Sequence, residues 1–206
     1  MTRFHVRGAV CVAILISTCN VVVAVPDYWD PRLDQICQLG LIDVAASVPE
    51  GQGYWRLSEA RFEDESEAGG NHNIYVKCLR ADGTGIENQK FFTAWPYGNT
   101  TVDENVCVGS NWACAYTKGP GYDDYWGNMA MWGGSCPPDN CGWPYSAFVS
   151  QASSPVGLVG LSDKVIGMGM HNPFGTPCNA HVNFRLVFKW TVSPPRLPTI
   201  SRSPGS

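Results

Sequence analysis

The sequence predicts an all-β domain, a β-sandwich or jelly-roll-like antiparallel fold, and three observations support this prediction. From Val182 to Trp190 apolar residues recur at every second position, as in a strand with one dry and one wet face, and only Val187 breaks the pattern. Several shorter stretches alternate in the same way between Gly, Pro, Asn and Asp turn signals. No stretch shows convincing helical amphipathicity, so short strands separated by turns make up the predicted architecture.

The first 24 residues predict a secretory signal peptide. Two arginines precede an apolar run over residues 8–23, and Val22 and Ala24 provide the small residues that signal peptidase requires. Polar residues from Thr18 to Asn20 interrupt the run, which makes a membrane anchor the less favoured alternative. We therefore expect a secreted, extracellular protein.

The net charge of the chain limits the kinds of partner that we expect it to bind. Removing the signal peptide changes the net charge from −4 to −6, because two arginines and no acidic residue are lost. An acidic exported chain is poorly suited to nucleic acid or to an anionic membrane, and we expect neither as a partner. About 180 residues remain, which is enough for one domain with its own core.

Seven of the nine cysteines follow the signal peptide, which in an oxidising compartment indicates three disulfides and one spare thiol. Cys136 and Cys141 flank a Pro-Pro-Asp-Asn turn and are the favoured pair, followed by Cys107 with Cys114. The spare thiol is either buried and inert or able to cross-link two chains. One pair and the spare thiol remain to be divided among Cys37, Cys78 and Cys178.

Residues 25–53 form an N-terminal arm before the regular strand pattern begins. The arm either lies across its own domain or docks on a neighbouring copy by adding a strand to an exposed sheet edge. It is too apolar to extend freely into water. The apolar residues concerned are Ile36, Leu39, Leu41, Ile42 and Val44.

The main domain spans residues 54–192. An acidic loop at 63–71 follows its first strand, and Ala81-Asp82-Gly83 is a hairpin signal. The Pro- and Ser-rich tail, 193–206, is expected to be flexible or polyproline-like and suited to O-linked sugars. Extended segments are predicted at 54–62, 73–79, 89–95, 147–151, 156–161, 165–170 and 180–191.

A long excursion, residues 99–145, interrupts this pattern with cysteines, glycines and aromatic rings. We predict one or two short strands in it, because a loop of this length is either functional or internally structured. Rings presented beside amides bind sugar rings in many proteins, and the alternative is a small satellite core under the disulfides. The candidate glycan-binding residues are Trp112, Tyr122, Tyr125, Trp126, Trp132 and Trp143.

Three segments carry a family resemblance: YWRLSEARFEDESEAGGNHNIYV (54–76), GLSDKVIGMGM (160–170) and HVNFRLVFKW (181–190). They resemble an uncharacterised family of secreted bacterial β-sandwich modules, which stand alone or accompany cell-wall and polysaccharide enzymes. The resemblance covers most of residues 30–191 but not the excursion. It implies the sandwich fold and names no reaction.

Catalytic and metal-binding patterns are weak. The sequence has no HExxH, Cys-x-x-Cys or Gly-x-Ser-x-Gly motif in a suitable context. His72, His171 and His181 could converge on a metal, but scattered histidines more often make ordinary hydrogen bonds. We therefore expect neither an enzyme nor a metal site.

The acidic loop has a calcium alternative, because oxygen donors before two glycines are what a hard cation uses. Its spacing does not match the twelve-residue calcium loop, and charge runs are usually solvated surface, so we expect no cofactor. A glycosidase pair would need carboxyl groups facing each other across a cleft. The carboxylates are Glu63, Asp64, Glu65 and Glu67. Separately, Asn99-Thr100-Thr101 is a glycosylation sequon.

Together these features predict a secreted, non-enzymatic structural module that self-associates outside the cell, as a filament, matrix or cell-surface subunit. The apolar arm and the odd cysteine count favour this interpretation. The alternative is a non-catalytic carbohydrate-binding module that uses exposed Trp and Tyr rings, and a secreted hydrolase comes third. The expected partners are a second copy of the chain or a polysaccharide.

Overall fold

The computed structural model describes residues 26–132, 144–170 and 180–195, and it confirms that the chain is mostly β. Helical segments are short: α1 is Glu65–Ala68, and 3₁₀ turns lie at Pro31–Gln35, Ala45–Ser47 and Asp123–Tyr125. The strands are β1 (Tyr28–Trp29), β2 (Gly40–Ile42), β3 (Gly53–Glu63), β4 (Asn73–Leu79), β5 (Lys90–Ala94), β6 (Trp112–Tyr116), β7 (Gly127–Ala130), β8 (Tyr145–Val149), β9 (Lys164–Met168) and β10 (Asn183–Val192).

The first sheet has the strand order β1-β3-β10-β4-β7, with β10 at its centre. β10 pairs antiparallel with β3 and parallel with β4, so the sheet is mixed. The strand with the clearest alternation in the sequence is therefore flanked on both edges. Phe184, Leu186 and Phe188 are buried on one of its faces.

A β-bulge in β3 explains why its apolar pattern changes phase. The pairing with β10 shifts register between Val187 and Phe188, so that Ser58 has no partner residue on β10. Because of this extra residue, the inward side chains are at odd-numbered positions before it and at even-numbered positions after it. The buried inward positions are accordingly Trp55, Leu57, Ala60 and Phe62.

The second sheet has the order β2-β9-β8-β5-β6 and is antiparallel throughout. Its inward side chains share one buried cluster with those of the first sheet. Trp55 and Phe62 of β3 belong to the same cluster as Phe91 of β5 and Val149 of β8. A single core therefore joins the two sheets.

The N-terminal arm lies across its own domain. Its first strand, β1, pairs with β3 of the first sheet, and its second, β2, pairs with β9 of the second sheet. Ile36 is buried in the shared core, and Leu39 and Leu41 pack against it, whereas Ile42 is exposed and Val44 is partly buried. The sequence left open whether the arm packs on its own domain or on a neighbouring copy, and the structure shows it packed on its own domain.

The excursion contributes an edge strand to each sheet. β6 pairs with β5 in the second sheet, and β7 pairs with β4 in the first. The two strands come close at Gly127, where an added Cβ would lie 2.4 Å from the carbonyl oxygen of Tyr116. The excursion therefore closes one side of the domain.

One local prediction was confirmed and two were wrong. Residues 81–83 turn a short hairpin, in which Leu79 and Gly85 form an antiparallel bridge, although β4 and β5 belong to different sheets. The acidic loop contains the one-turn helix α1, because Asp64 and Glu67 form a capping box at its start. Residues 156–161 form turns and irregular chain, not a strand.

Candidate functional site

The structure separates the aromatic candidates of the excursion. Tyr122 and Trp132 expose 76% and 79% of their surface. Trp112, Tyr125 and Trp126 are only partly exposed. The rings therefore differ in exposure, and each has to be judged by its neighbours.

Trp112 belongs to a satellite core on the outer face of the second sheet. It packs with Val102 against a buried cluster of Phe92, Ala94 and Phe148. Its indole nitrogen donates a hydrogen bond to the carbonyl oxygen of Val106 at 3.1 Å. For this ring the structure favours the satellite-core interpretation over a glycan-binding role.

The outer face of the first sheet presents a different arrangement, which we call the aromatic face. Alternation along β4 turns residues 73, 75 and 77 outward, because the intervening Ile74 and Val76 are buried. β3, β7, β10 and the loop before β7 provide the rest. The aromatic face consists of Glu63, Asn73, Tyr75, Lys77, Trp126, Asn128 and Arg185.

Arg185 organises the aromatic face. Its guanidinium carbon lies 4.4 Å from the ring centre of Tyr75 and 5.3 Å from that of Trp126. The guanidinium also donates to the carboxylate of Glu63, which accepts a second hydrogen bond of 2.7 Å from Asn183. Cation–π contacts and a paired charge together hold both rings beside the central strand.

The loop before β7, which carries Trp126, has a strained backbone in the three residues that precede this tryptophan. Asp123, Asp124 and Tyr125 have φ angles of 55°, 49° and 70°, in the left-handed region that side chains with a Cβ disfavour. Lys77 forms an ion pair with Asp124, and its Nζ lies 5.3 Å from the ring centre of Trp126. Contacts with the sheet therefore offset the strain of the loop.

Amide groups continue the aromatic face beside the rings. Asn73 donates to the hydroxyl of Tyr75 at 3.2 Å, and Asn128 donates to Asn73 at 3.3 Å. Lys118 in turn donates to Asn128 at 3.2 Å. Each amide has further donor or acceptor capacity that a ligand hydroxyl could use.

A cavity of about 290 Å³ lies between the two sheets, where β6 and β7 diverge from Gly127. We call it the inter-sheet cleft. Trp132, the most exposed of the tryptophans described, stands at its mouth, and its backbone N–H donates to the hydroxyl of Tyr145 at 2.9 Å. The cleft is lined by Thr93, Trp95, Ala113, Met129, Ala130, Trp132 and Tyr145.

The acidic run is divided between different partners. Glu63 pairs with Arg185 on the aromatic face, whereas Glu67 binds Arg32 at 2.7 Å and caps α1 together with Asp64. A hydrogen bond from the hydroxyl of Ser66 lowers the pKa of Asp64. Within residues 26–132, 144–170 and 180–195 no group of three or more His, Cys, Asp or Glu could hold a metal.

Two of the three histidines considered as metal ligands come together. The rings of His72 and His181 have centroids 5.3 Å apart, and the Nδ1 atom of His72 is buried without a hydrogen-bond partner in the described part of the chain. His171 lies outside the described residues. A metal site would need the three histidines to converge, and the structure shows this for His72 and His181.

The predicted disulfide between Cys107 and Cys114 is confirmed. Cys37 is also disulfide-bonded, and Cys78 is free, buried and has a raised pKa because of its burial. A buried thiol of this kind is inert and unsuited to cross-linking two folded chains. Several predictions lie outside the described residues, namely those for 1–24, Cys136, Cys141, Trp143, Cys178 and 196–206.

The side chain of Asn99 is engaged within the domain. Its amide nitrogen donates to the carbonyl oxygen of Trp95 at 2.9 Å, and its oxygen accepts from the backbone N–H of Thr101 at 3.1 Å. An N-linked glycan would replace one of the two hydrogens of this nitrogen and leave one N–H to donate.

Comparison of the chain with protein-family models, curated proteins and solved structures gave no match in any of the three. The family resemblance of the three segments therefore stays a prediction. In the described part of the chain no helix has the length and apolar character needed to cross a membrane.

Sequence reasoning did not identify Tyr75 and Arg185 as site residues. Their positions on the polar sides of two predicted strands were correct, and that alternation was the available signal. The missing information was that β4 pairs in parallel with β10, with Tyr75 opposite Arg185. Pairing between distant strands has no local signature in the sequence.

Proposed function

We propose that the protein is a secreted, non-catalytic carbohydrate-binding module and that the aromatic face is its binding surface. The observation that carries this proposal is the contact of Arg185 with both Tyr75 and Trp126, next to the amides of Asn73 and Asn128. Sugar rings offer apolar C–H faces to aromatic rings and hydroxyls to amides. The aromatic face combines both kinds of group.

The proposed frame for this surface is a β-sandwich. Two sheets that share one core make each outer face rigid, and a site built on strands is held more accurately than one built on loops. Since a sheet face is broad and shallow, an extended neutral polysaccharide is the proposed ligand. The Cys107–Cys114 disulfide supports secretion, because such bonds persist in oxidising compartments.

Self-association outside the cell is the second candidate function, and one edge of the second sheet favours it. β6 is an edge strand, and the segment before it, which forms a bridge to it between Val108 and Ala113, covers part of that edge. Val106, Val108 and Tyr116 stay exposed there and offer an apolar surface to another chain. Support from the arm and from Cys78 is weaker, because the arm pairs with its own domain and the thiol is buried.

The decisive experiment is retention of the mature protein on insoluble cellulose, chitin and β-glucan. We expect Trp126→Ala and Tyr75→Ala each to weaken retention about tenfold, the effect of removing a central aromatic contact. Tyr28→Ala is the matched control, because Tyr28 also lies against an arginine, Arg61 at 5.0 Å, on the first sheet but outside the aromatic face. Thermal unfolding verifies that each variant is folded.

Unchanged retention in both Trp126→Ala and Tyr75→Ala would contradict the proposal. A loss seen only in Trp132→Ala would move the site to the mouth of the inter-sheet cleft. Electron microscopy of the same preparation, with and without reductant, tests the second candidate. Ordered fibres would favour self-association, and dispersed monomers would favour glycan binding.

A further inference from the structure

The inter-sheet cleft has a lining unlike that of the aromatic face. Two tryptophans, a tyrosine, a methionine and two alanines surround a single threonine, and among the residues that the structure describes no acidic or basic side chain lines the cleft. The rings of Trp95 and Tyr145 meet edge to face with centroids 6.0 Å apart and form one wall. A cavity with such walls favours a neutral, largely apolar ligand.

Thr93, which lines the cleft, carries a buried polar atom without a hydrogen-bond partner in the described part of the chain. It lies on the inward side of β5, two residues after the core residue Phe91, and its exposed fraction is 0%. Its hydroxyl oxygen, Oγ1, has no hydrogen-bond partner among the described residues. A buried hydroxyl without a partner costs free energy, and such a group in a native structure calls for an explanation.

We propose that the inter-sheet cleft binds a small, neutral, planar molecule of the indole or phenol class, whose one polar hydrogen bonds to Oγ1 of Thr93. The volume of about 290 Å³ exceeds the roughly 150 Å³ that accommodates benzene, which gives room for one or two fused rings. Trp132 at the mouth closes over the ligand by stacking.

This site is independent of the proposed glycan-binding function. The cleft lies between the sheets, whereas the aromatic face lies on the outer side of the first sheet, and they share no residue. Loss of one activity therefore leaves the other testable in the same variant.

The test uses indole and 1-methylindole, which differ in the polar N–H, titrated calorimetrically into the mature protein at neutral pH. We expect one site and tighter binding of indole. Thr93→Val keeps the shape of the side chain and removes the hydroxyl, so it should weaken indole binding about three- to tenfold and leave 1-methylindole unchanged. Thr191→Val, the same change on β10 away from the cleft, is the matched control and should alter neither.

A second variant tests the cavity itself. Ala113→Leu should fill the cleft and abolish binding of both compounds, while Ala81→Leu in the exposed turn should have no effect. Trp132→Ala removes an exposed ring without disturbing the core and should weaken the binding of both compounds. Absence of indole binding at millimolar concentration, or binding that survives both Ala113→Leu and Trp132→Ala, would overturn the proposal. Equal affinity of the two compounds for the wild-type protein would overturn the role of Thr93.

Discussion

The outer faces of the two sheets carry the same chemistry in different surroundings. On the second sheet, Lys164 lies 4.7 Å from the ring centre of Phe148, and Lys90 lies 5.1 Å from that of Phe92. On the first sheet, Arg185 and Lys77 take comparable positions over Tyr75 and Trp126. Each face therefore has aromatic rings held under cations.

The difference lies in what covers the rings. Val102 and Trp112 of the excursion pack over Phe92 and Phe148, which are completely buried, and burial lowers the pKa of Lys164. The rings of the aromatic face remain partly exposed. One half of the excursion thus makes an outer face into core, while the other half leaves its counterpart partly open to solvent.

The largest expected effect contrasts a covered ring with an open one. Phe148→Ala should lower the free energy of unfolding by about 3–5 kcal/mol, because it leaves a cavity in a closed cluster. Trp126→Ala should lower it by about 1 kcal/mol or less, since a partly exposed cation–π contact contributes no more. Chemical denaturation measures both. Equal losses would break the distinction between the two faces.

The next effect concerns the disulfide beside the covered face. Replacing Cys107 and Cys114 together by serine should cost about 2–3 kcal/mol, the loop-closure value for so short a loop. The same variant should retain the polysaccharide binding that we propose, because the disulfide lies beside the second sheet. Reductant should lower the stability of the wild-type protein by more than this substitution does, because it also opens the disulfide of Cys37, and it should lower the stability of the variant by that second part alone.

A third prediction concerns Asp163, which lies at the seam between the two sheets and on neither outer face. Asp163 is buried, and its carboxylate accepts hydrogen bonds from the backbone N–H groups of Leu57 at 2.8 Å and Val44 at 3.0 Å. Burial raises the pKa of Asp163 to about 6, against the hydrogen bonds that lower it. The folded state therefore binds the proton of this carboxyl group more tightly than the unfolded state does. The protonated group contributes most to the free energy of unfolding below pH 3.8, its ordinary pKa, and this contribution is lost as the pH rises through about 6.

The free energy of unfolding should therefore fall by about 2 kcal/mol between pH 4 and pH 7 because of this residue. Asp163→Asn should lose that slope, whatever its stability at a single pH. Carboxyl groups with lowered pKa values, such as Asp64 and Asp82, act in the opposite direction and below this window. A wild-type slope that persists in Asp163→Asn would contradict the assignment.

The smallest effect concerns Glu104, which anchors residues 99–111, the part of the excursion beside the outer face of the second sheet. Glu104 accepts hydrogen bonds from the backbone N–H groups of Gln151 and Ala152, each at 3.0 Å, and from the hydroxyl of Ser150. Glu104→Gln should cost about 1–2 kcal/mol and speed hydrogen exchange in residues 99–111, because an amide cannot accept all three bonds. Glu65→Gln on exposed α1 is the control. Unchanged exchange would mean that the cover is held by its apolar contacts alone.

Much of the strand framework could be predicted from alternation. The segments at 54–62 and 73–79 match β3 and β4 closely, and the core face of β10 was correctly identified. The hairpin at residues 81–83 could be predicted because a turn signal is local, but the sequence did not show that β5 joins the other sheet, which long-range packing decides. The bulge at Ser58 was likewise missed, since a single extra residue changes parity without changing composition.

The sequence by itself determined which residues form strands and which side of each strand is apolar, because both depend on neighbours one or two positions away. Only the tertiary structure decided that Tyr75 lies beside Arg185, that Trp126 stays open and that Trp112 does not. Those outcomes depend on parallel pairing across the chain and on where the excursion packs. An aromatic ring on a strand becomes core or exposed surface according to whether another segment packs over it.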